Sequence, residues 1–170
     1  MAVSPNKNIC RSKKIRRAPS YKYLLQFFLF TPLLRCISLW PASLERKTWA
    51  LLALAFISIR LFEWPATVAT WHSYWRKHAP ARVAGKIRRS AQELDDIVRT
   101  IATRHPLRVE CKERALSCWW LLSSAGIPAT LVLAVQIFPL QCHCWCEAGQ
   151  LVLSDDRARC EQFTPVLSYR

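Results

Sequence analysis

Glu110-Cys111-Lys112-Glu113-Arg114-Ala115-Leu116-Ser117-Cys118-Trp119-Trp120-Leu121-Leu122-Ser123-Ser124-Ala125-Gly126-Ile127-Pro128 is the stretch on which the fold turns. It follows a proline-bearing loop, Arg104-His105-Pro106-Leu107, opens with charged residues, runs apolar from Ala115 to Leu122 and stops at Gly126 and Pro128. A glycine just past an apolar run and a proline shortly after it mark a helix C-terminus, so the pattern predicts a helix with Cys111 at its start. Unpaired N–H groups and the positive end of the dipole gather there and favour a thiolate, which predicts a Cys111 thiol below the ordinary thiol range.

Working outward, Ala129-Thr130-Leu131-Val132-Leu133-Ala134-Val135-Gln136-Ile137-Phe138 is β-branched and apolar, the composition of a buried strand. A turn at Phe138-Pro139-Leu140 leads into Cys142-His143-Cys144-Trp145-Cys146-Glu147. At a period of two, His143, Trp145 and Glu147 share one face, and Cys142, Cys144 and Cys146 share the other, turned inwards. Ala148-Gly149 signals a hairpin, and Gln150-Leu151-Val152-Leu153-Ser154 would return antiparallel, carrying Asp155 towards His143. Cys111, His143 and Asp155 thus supply a thiol nucleophile, a base within reach of it and a group to orient the base, in that chain order. Asp156 is the rival orienter, because a one-residue slip of the hairpin exchanges the two. Arg114 is expected to steady the Cys111 loop or pair with Glu110. Gln141 and the Cys111 backbone N–H are candidates to donate to an oxyanion, and Trp145 is expected in the core or in a groove wall.

Three blocks carry a resemblance: Cys111-Lys112-Glu113-Arg114-Ala115-Leu116; Leu121-Leu122-Ser123-Ser124-Ala125-Gly126-Ile127-Pro128-Ala129; and His143-Cys144-Trp145-Cys146-Glu147 with Gly149 and Asp155. In this order they resemble the C-x-x-R-[AS]-L, L-L-x-x-x-G-[IV]-P-A and A-H-A-W-V-E blocks of the lasso-peptide leader peptidases, the B or B2 maturation proteins of the transglutaminase-like superfamily. The resemblance spans about residues 44 to 170. Cys142, Cys144 and Cys146 stand where those proteins usually hold Ala, Ala and Val, a replacement that small buried thiols tolerate.

The resemblance implies an α+β fold of the transglutaminase-like, papain-related kind, with an N-terminal helical segment. It also implies a cysteine endopeptidase with a Cys111, His143, Asp155 triad, which removes the leader from a lasso precursor peptide before an asparagine-synthetase-like cyclase closes the macrolactam. The alternatives are a non-catalytic scaffold that presents the precursor, and an acyl-transferring transglutaminase. Any ATP requirement belongs to the cyclase or the maturation complex, because this chain has three glycines and no G-x-x-x-x-G-K-[ST] loop. No cofactor is expected in this chain.

With 170 residues, 52% hydrophobic, the chain has room for one catalytic core, residues 44–170, and a smaller segment, residues 1–43. The net charge of +14 is concentrated early, in Lys7, Arg11, Lys13, Lys14, Arg16, Arg17, Lys22 and Arg35, with no acid before Glu45. Residues 1–20 are read as a disordered basic arm. Tyr23 to Phe30 is a short apolar stretch broken at Thr31-Pro32, too short to span a bilayer, and Trp40-Pro41-Ala42-Ser43 is a poor signal cleavage site. Residues 1–43 are too few for an intact winged-helix leader-binding module of about 70–80 residues. They are read as a remnant leader-recognition region, with a separate leader-recognition protein as the other source of that function.

Ser43-Leu44-Glu45-Arg46 predicts a helix start, with the helix running through Trp49 to Phe62 and ending at Trp64-Pro65. This helix would pack on the core or touch the membrane. A second helix is expected from about Val83 to Thr103, with Ile87, Leu94, Ile97, Val98 and Ile101 on one face. The eight cysteines are expected to be reduced, because a disulfide framework would consume the nucleophile, and the compartment is expected to be the cytoplasm with peripheral membrane contact. A metal on Cys142, Cys144 and Cys146 is disfavoured, since alternate strand residues stand ~6–7 Å apart. Nucleic acid is disfavoured because the charge lies in one tail without a binding motif. His72 and His78 are expected in a surface or interface role, and His105 as a loop residue.

Overall fold

The computed structural model describes residues 21–40, 42–78 and 90–170. The basic arm expected over residues 1–20, and the start of the amphipathic segment expected from Val83, lie outside the described residues. The chain runs α1 (Tyr21–Leu39), α2 (Leu44–His78), α3 (Ala91–Arg104), α4 (Cys111–Ser124), β1 (Thr130–Gln136), β2 (Gln141–Ala148), β3 (Leu151–Leu153), α5 (Arg157–Cys160) and β4 (Thr164–Tyr169). It is an α+β protein with one antiparallel sheet in the order β3-β2-β1-β4.

α4 forms where its sequence predicts. Glu113 accepts the Glu110 N–H at 3.0 Å at its start. At its end Gly126 takes φ 76, left-handed backbone that a residue with a Cβ adopts only at a cost. Ala115, Leu116, Cys118, Trp119, Trp120 and Leu122 are all buried, so α4 is apolar on nearly every side. One side rests on the sheet through Cys144, Cys146 and Leu131, and the other meets α2 and α3. Trp120 sits among Trp71 (5.4 Å between ring centroids), Tyr74 (5.4 Å) and Trp75 (5.8 Å) of α2. The opposite face of the sheet is also covered: Val132, Ala134 and Trp145 pack with Cys160 and Phe163. β1 and β2 are therefore buried on both faces, and β3 and β4 form the exposed edges.

Three expectations about the helices change. The break at Thr31-Pro32 does not occur, and α1 continues through Pro32 to Leu39. An interior proline costs a helix about 3 kcal/mol, whereas Phe30 and Leu34, buried on either side of it, each return roughly 1.5–3 kcal/mol. The stop before Pro65 is a kink: Glu63 takes φ 68, ψ 165, and a helix resumes to His78. Pro65 sits in its first turn, where the missing N–H is no loss. The third concerns where the second expected helix starts: α3 begins at Ala91, behind a capping box in which Ser90 and Glu93 bond reciprocally to each other's backbone N–H.

Candidate functional site

β1 and β2 pair with Ala134 opposite His143, which fixes the histidine near the middle of the sheet's outer face. Its ring lies 4.9 Å from that of Phe163 and 5.9 Å from that of Trp145, and it is 2% exposed. β2 and β3 pair Cys146 with Leu153 and Glu147 with Val152. Continued in the same register, β3 would set Asp156 opposite His143. Ser154 prevents this, because its φ of 66 turns the chain out of the ladder. As a result Asp155 Oδ2 lies 3.0 Å from His143 Nε2, while Asp156 precedes α5 with its side chain in solvent. The contact meets the distance but not the angle of a hydrogen bond, and it becomes an ion pair only when His143 is protonated. Catalytic hydrogen bonds are often loose before substrate binds.

The aspartate is heavily supported. Arg114 Nη2 lies 3.4 Å and Arg159 Nη1 3.7 Å from the same Oδ2. Oδ1 accepts the Asp156 N–H at 2.8 Å. Arg114 thus turns to Asp155 and not to Glu110, which instead faces Arg60 at 3.9 Å. Behind the turn stands a pair that the sequence reading passed over. Asp95 of α3, fully buried, accepts from the Ser154 N–H at 2.6 Å and from Arg99 Nε at 2.8 Å. Arg99 Nη2 donates to the Asp155 carbonyl at 2.7 Å, and Nη1 reaches Asp156 Oδ1 at 3.4 Å. The Asp-x-x-x-Arg spacing marks a helix i,i+4 pair; nothing local marks its reach to residues 154–156.

Cys111 occupies the α4 N-terminus, half-buried. Its sulfur lies against the backbone N–H of Cys144, the residue next to His143 on β2. Among the described residues no hydrogen bond joins Cys111 to His143. Burial pushes the Cys111 thiol up, and this outweighs the Cys144 N–H, Arg114 and Lys112, which pull it down. The expected depression of this thiol is therefore reversed: desolvation penalises the thiolate more than the helix end and the nearby cations favour it. Burial likewise lowers the His143 pKa, helped by Arg159 and Arg114 and opposed by Asp155. The resting groups are a neutral thiol and a neutral imidazole.

The other thiols are poorer nucleophiles. Cys144 is held well above the ordinary thiol range by burial, and Cys118 by its bond to Cys146 and by burial. Cys160, on the same side of the sheet as His143, is pushed up to about 11, mainly by burial. Seven described cysteines are free. Cys144 and Cys146 face inwards as expected, but Cys142, nearest the open end of the hairpin, is exposed. Gln141, the first residue of β2, is also exposed. Trp145 is core, with Nε1 donating to Glu147 at 2.8 Å. His105 is the loop residue expected, just past α3, and it is buried, tilted against Trp49 with ring centroids 4.8 Å apart. His72 bonds the Arg170 carbonyl at 2.6 Å, and His78 stacks on Tyr74. Among the described residues no group of three or more His, Cys, Asp or Glu is placed to hold a metal ion.

The chain thus sets a helix-borne thiol on an antiparallel sheet that carries a histidine–carboxylate pair, in an α+β fold. The family model of the transglutaminase-like superfamily matches residues 53–168. The chain belongs to that superfamily, which is typically cysteine-based in its catalysis and includes both cysteine peptidases and transglutaminases. Neither a curated protein nor a solved structure matches the chain.

Proposed function

We propose that this protein is a cysteine endopeptidase that removes the leader from a lasso-peptide precursor, with Cys111 as nucleophile, His143 as base and Asp155 as orienter. The observation that carries the reading is the buried His143–Asp155 contact at 3.0 Å, on the residue next to the one whose N–H meets the Cys111 sulfur. With Nε2 turned to Asp155, Nδ1 is the ring nitrogen left to take the thiol proton. The Cys111 sulfur then attacks the carbonyl carbon at the leader–core junction. As the C–N bond breaks, the His143 imidazolium gives its proton to the core amine, and the leader stays on Cys111 as a thioester. Water, deprotonated by His143, attacks the thioester carbonyl; the C–S bond breaks and the leader leaves with a carboxylate. The freed amine is the group that a partner asparagine-synthetase-like cyclase would join to an acidic side chain. A separate leader-recognition protein would present the precursor, and any ATP would be consumed by the cyclase.

One observation favours a second reading, a precursor-presenting scaffold: the Cys111 thiol is not bonded to His143, and burial disfavours its thiolate. Mass spectrometry of a precursor peptide incubated with the cyclase and either wild type or Cys111→Ala separates the two. The peptidase reading expects free leader with wild type only. Equal processing by both proteins would leave the scaffold. Release of the leader joined to an added amine, in preference to the free acid, would make the protein an acyl-transferring transglutaminase.

A further inference from the structure

α1 carries large apolar residues on every side, interrupted by Lys22, Gln26 and Arg35, yet the protein covers only part of them. Phe30 and Leu34 are buried and Ile37 half-buried against α2, where the rings of Phe30 and Phe62 meet edge to face at 5.4 Å. Tyr21 (74% exposed), Leu25 (50%), Phe28 (73%), Leu29 (52%), Leu33 (48%) and Leu39 (67%) face outward. At 100° per residue these six fall within an arc of about 140°, opposite the buried residues. A helix with no polar face belongs in an apolar interior, so this exposed face calls for a second apolar medium. Among the described residues one helix, α2, is long and apolar enough by composition to cross a membrane, but half of its apolar window is buried in the molecule. α1 packs chiefly on α2, and the recess lined by Arg35, Cys36, Ile37, Leu39 and Trp40 lies at its C-terminal end, away from Tyr21, Leu25, Phe28 and Leu29, whereas peptides are bound in grooves or along sheet edges.

Charge identifies the medium. The chain up to Ser43 carries Lys7, Arg11, Lys13, Lys14, Arg16, Arg17, Lys22 and Arg35 and no acid, so a second copy docking by the same face would bring like charge against like. An anionic bilayer offers acyl chains for the stripe and phosphates for the cations, the two signals that stable interfacial anchoring requires. We propose that α1 lies in the interface of an anionic lipid bilayer, with Tyr21, Leu25, Phe28, Leu29, Leu33 and Leu39 in the acyl boundary and the basic residues at the headgroups. Trp40, 46% exposed at the end of the helix, is of the amphipathic type that settles at headgroup level. This inference does not rest on the peptidase reading.

Flotation of the full chain with phosphatidylcholine vesicles, with and without phosphatidylglycerol, tests it. Binding to the anionic vesicles is expected, weaker on neutral ones and reduced by salt. Leu25→Glu with Leu29→Glu is expected to weaken anionic binding by about tenfold or more at unchanged melting temperature, because both side chains are exposed. Should that variant fold poorly, bromo-lipid quenching of tryptophan fluorescence compared between wild type and Trp40→Phe, a change at an exposed residue, gives the independent readout, with a Trp40-dependent quenching expected from anionic vesicles. Any of the following would overturn the proposal: no flotation, equal binding by wild type and the Glu variant, or no Trp40-dependent quenching. So would a Glu variant that breaks a dimer, or loses a precursor peptide, while still floating normally; those outcomes would assign the face to a second copy or to a peptide.

Discussion

Burial acts on Cys111 and His143 in opposite senses. It lowers His143 and raises Cys111, so both groups rest neutral, and the proposed mechanism moves the proton only as the sulfur attacks. The acid limb of kcat/KM should therefore fall below the ordinary imidazole value of about 6.5. Site-resolved alkylation of Cys111 by iodoacetamide should climb with pH beyond the ordinary thiol value of about 8.5, without a reactive plateau in acid. An acid plateau would show a pre-formed thiolate–imidazolium pair. The same shift acts on stability. The unfolded chain takes up a proton on His143 near pH 6.5 that the folded protein resists, so the histidine's contribution is present above that value and is lost as pH falls through the folded one. His143→Gln should melt with a shallower pH dependence than wild type below about pH 6.5. The placement of Cys111 at a helix start and of Asp155 beside His143 was legible in the sequence, because residue type and order carry both. The direction of the thiol shift was not, because it depends on how much of the sulfur other chain segments cover.

At the scale of elements, α3 sets the orienting carboxylate. Asp95 and Arg99 hold the Ser154 N–H, the Asp155 carbonyl and the Asp156 carboxylate together, and the left-handed Ser154 between them chooses Asp155 over Asp156. Asp95→Ala should cost roughly 3 kcal/mol, the lower end of the cost of unpairing a buried charge, read by urea unfolding. Arg99→Lys keeps the charge beside Asp95 but not the fork that spans three acceptors. It should stay near wild type in stability while kcat falls severalfold and KM holds; an unchanged kcat would remove the clamp from the mechanism. The hairpin and helix that bear the three site residues were written in Gly126, Pro128, Gly149 and the period-two pattern of 142–147. The clamp was not, since it joins residues 95 and 154, and no local period reports a pairing at that separation. The second half of α2 did carry a local signal, in Thr67, Trp71 and Tyr74, hidden behind the proline that seemed to end the helix.

Across the whole molecule, α4 is the beam between a helical layer and the sheet. Trp120, buried among Trp71, Tyr74 and Trp75, fixes that junction, and Trp120→Ala should lose about 3–5 kcal/mol. The buried residues of α1, α2, α3, α4 and the inner sheet face form one continuous core, so circular dichroism and tryptophan fluorescence should report a single coincident transition. Separate transitions would mean that the helical layer folds apart from the sheet. The claim that most depends on the whole arrangement is that Cys111 becomes covalently acylated. Its most direct measurement is acid-quenched mass spectrometry of the protein mixed with a lasso precursor peptide. The expected result is a transient adduct of the leader's mass, mapped to the peptide containing Cys111 and absent from Cys111→Ala. Leader release that proceeds without an adduct in wild type, and equally well in Cys111→Ala, would contradict it.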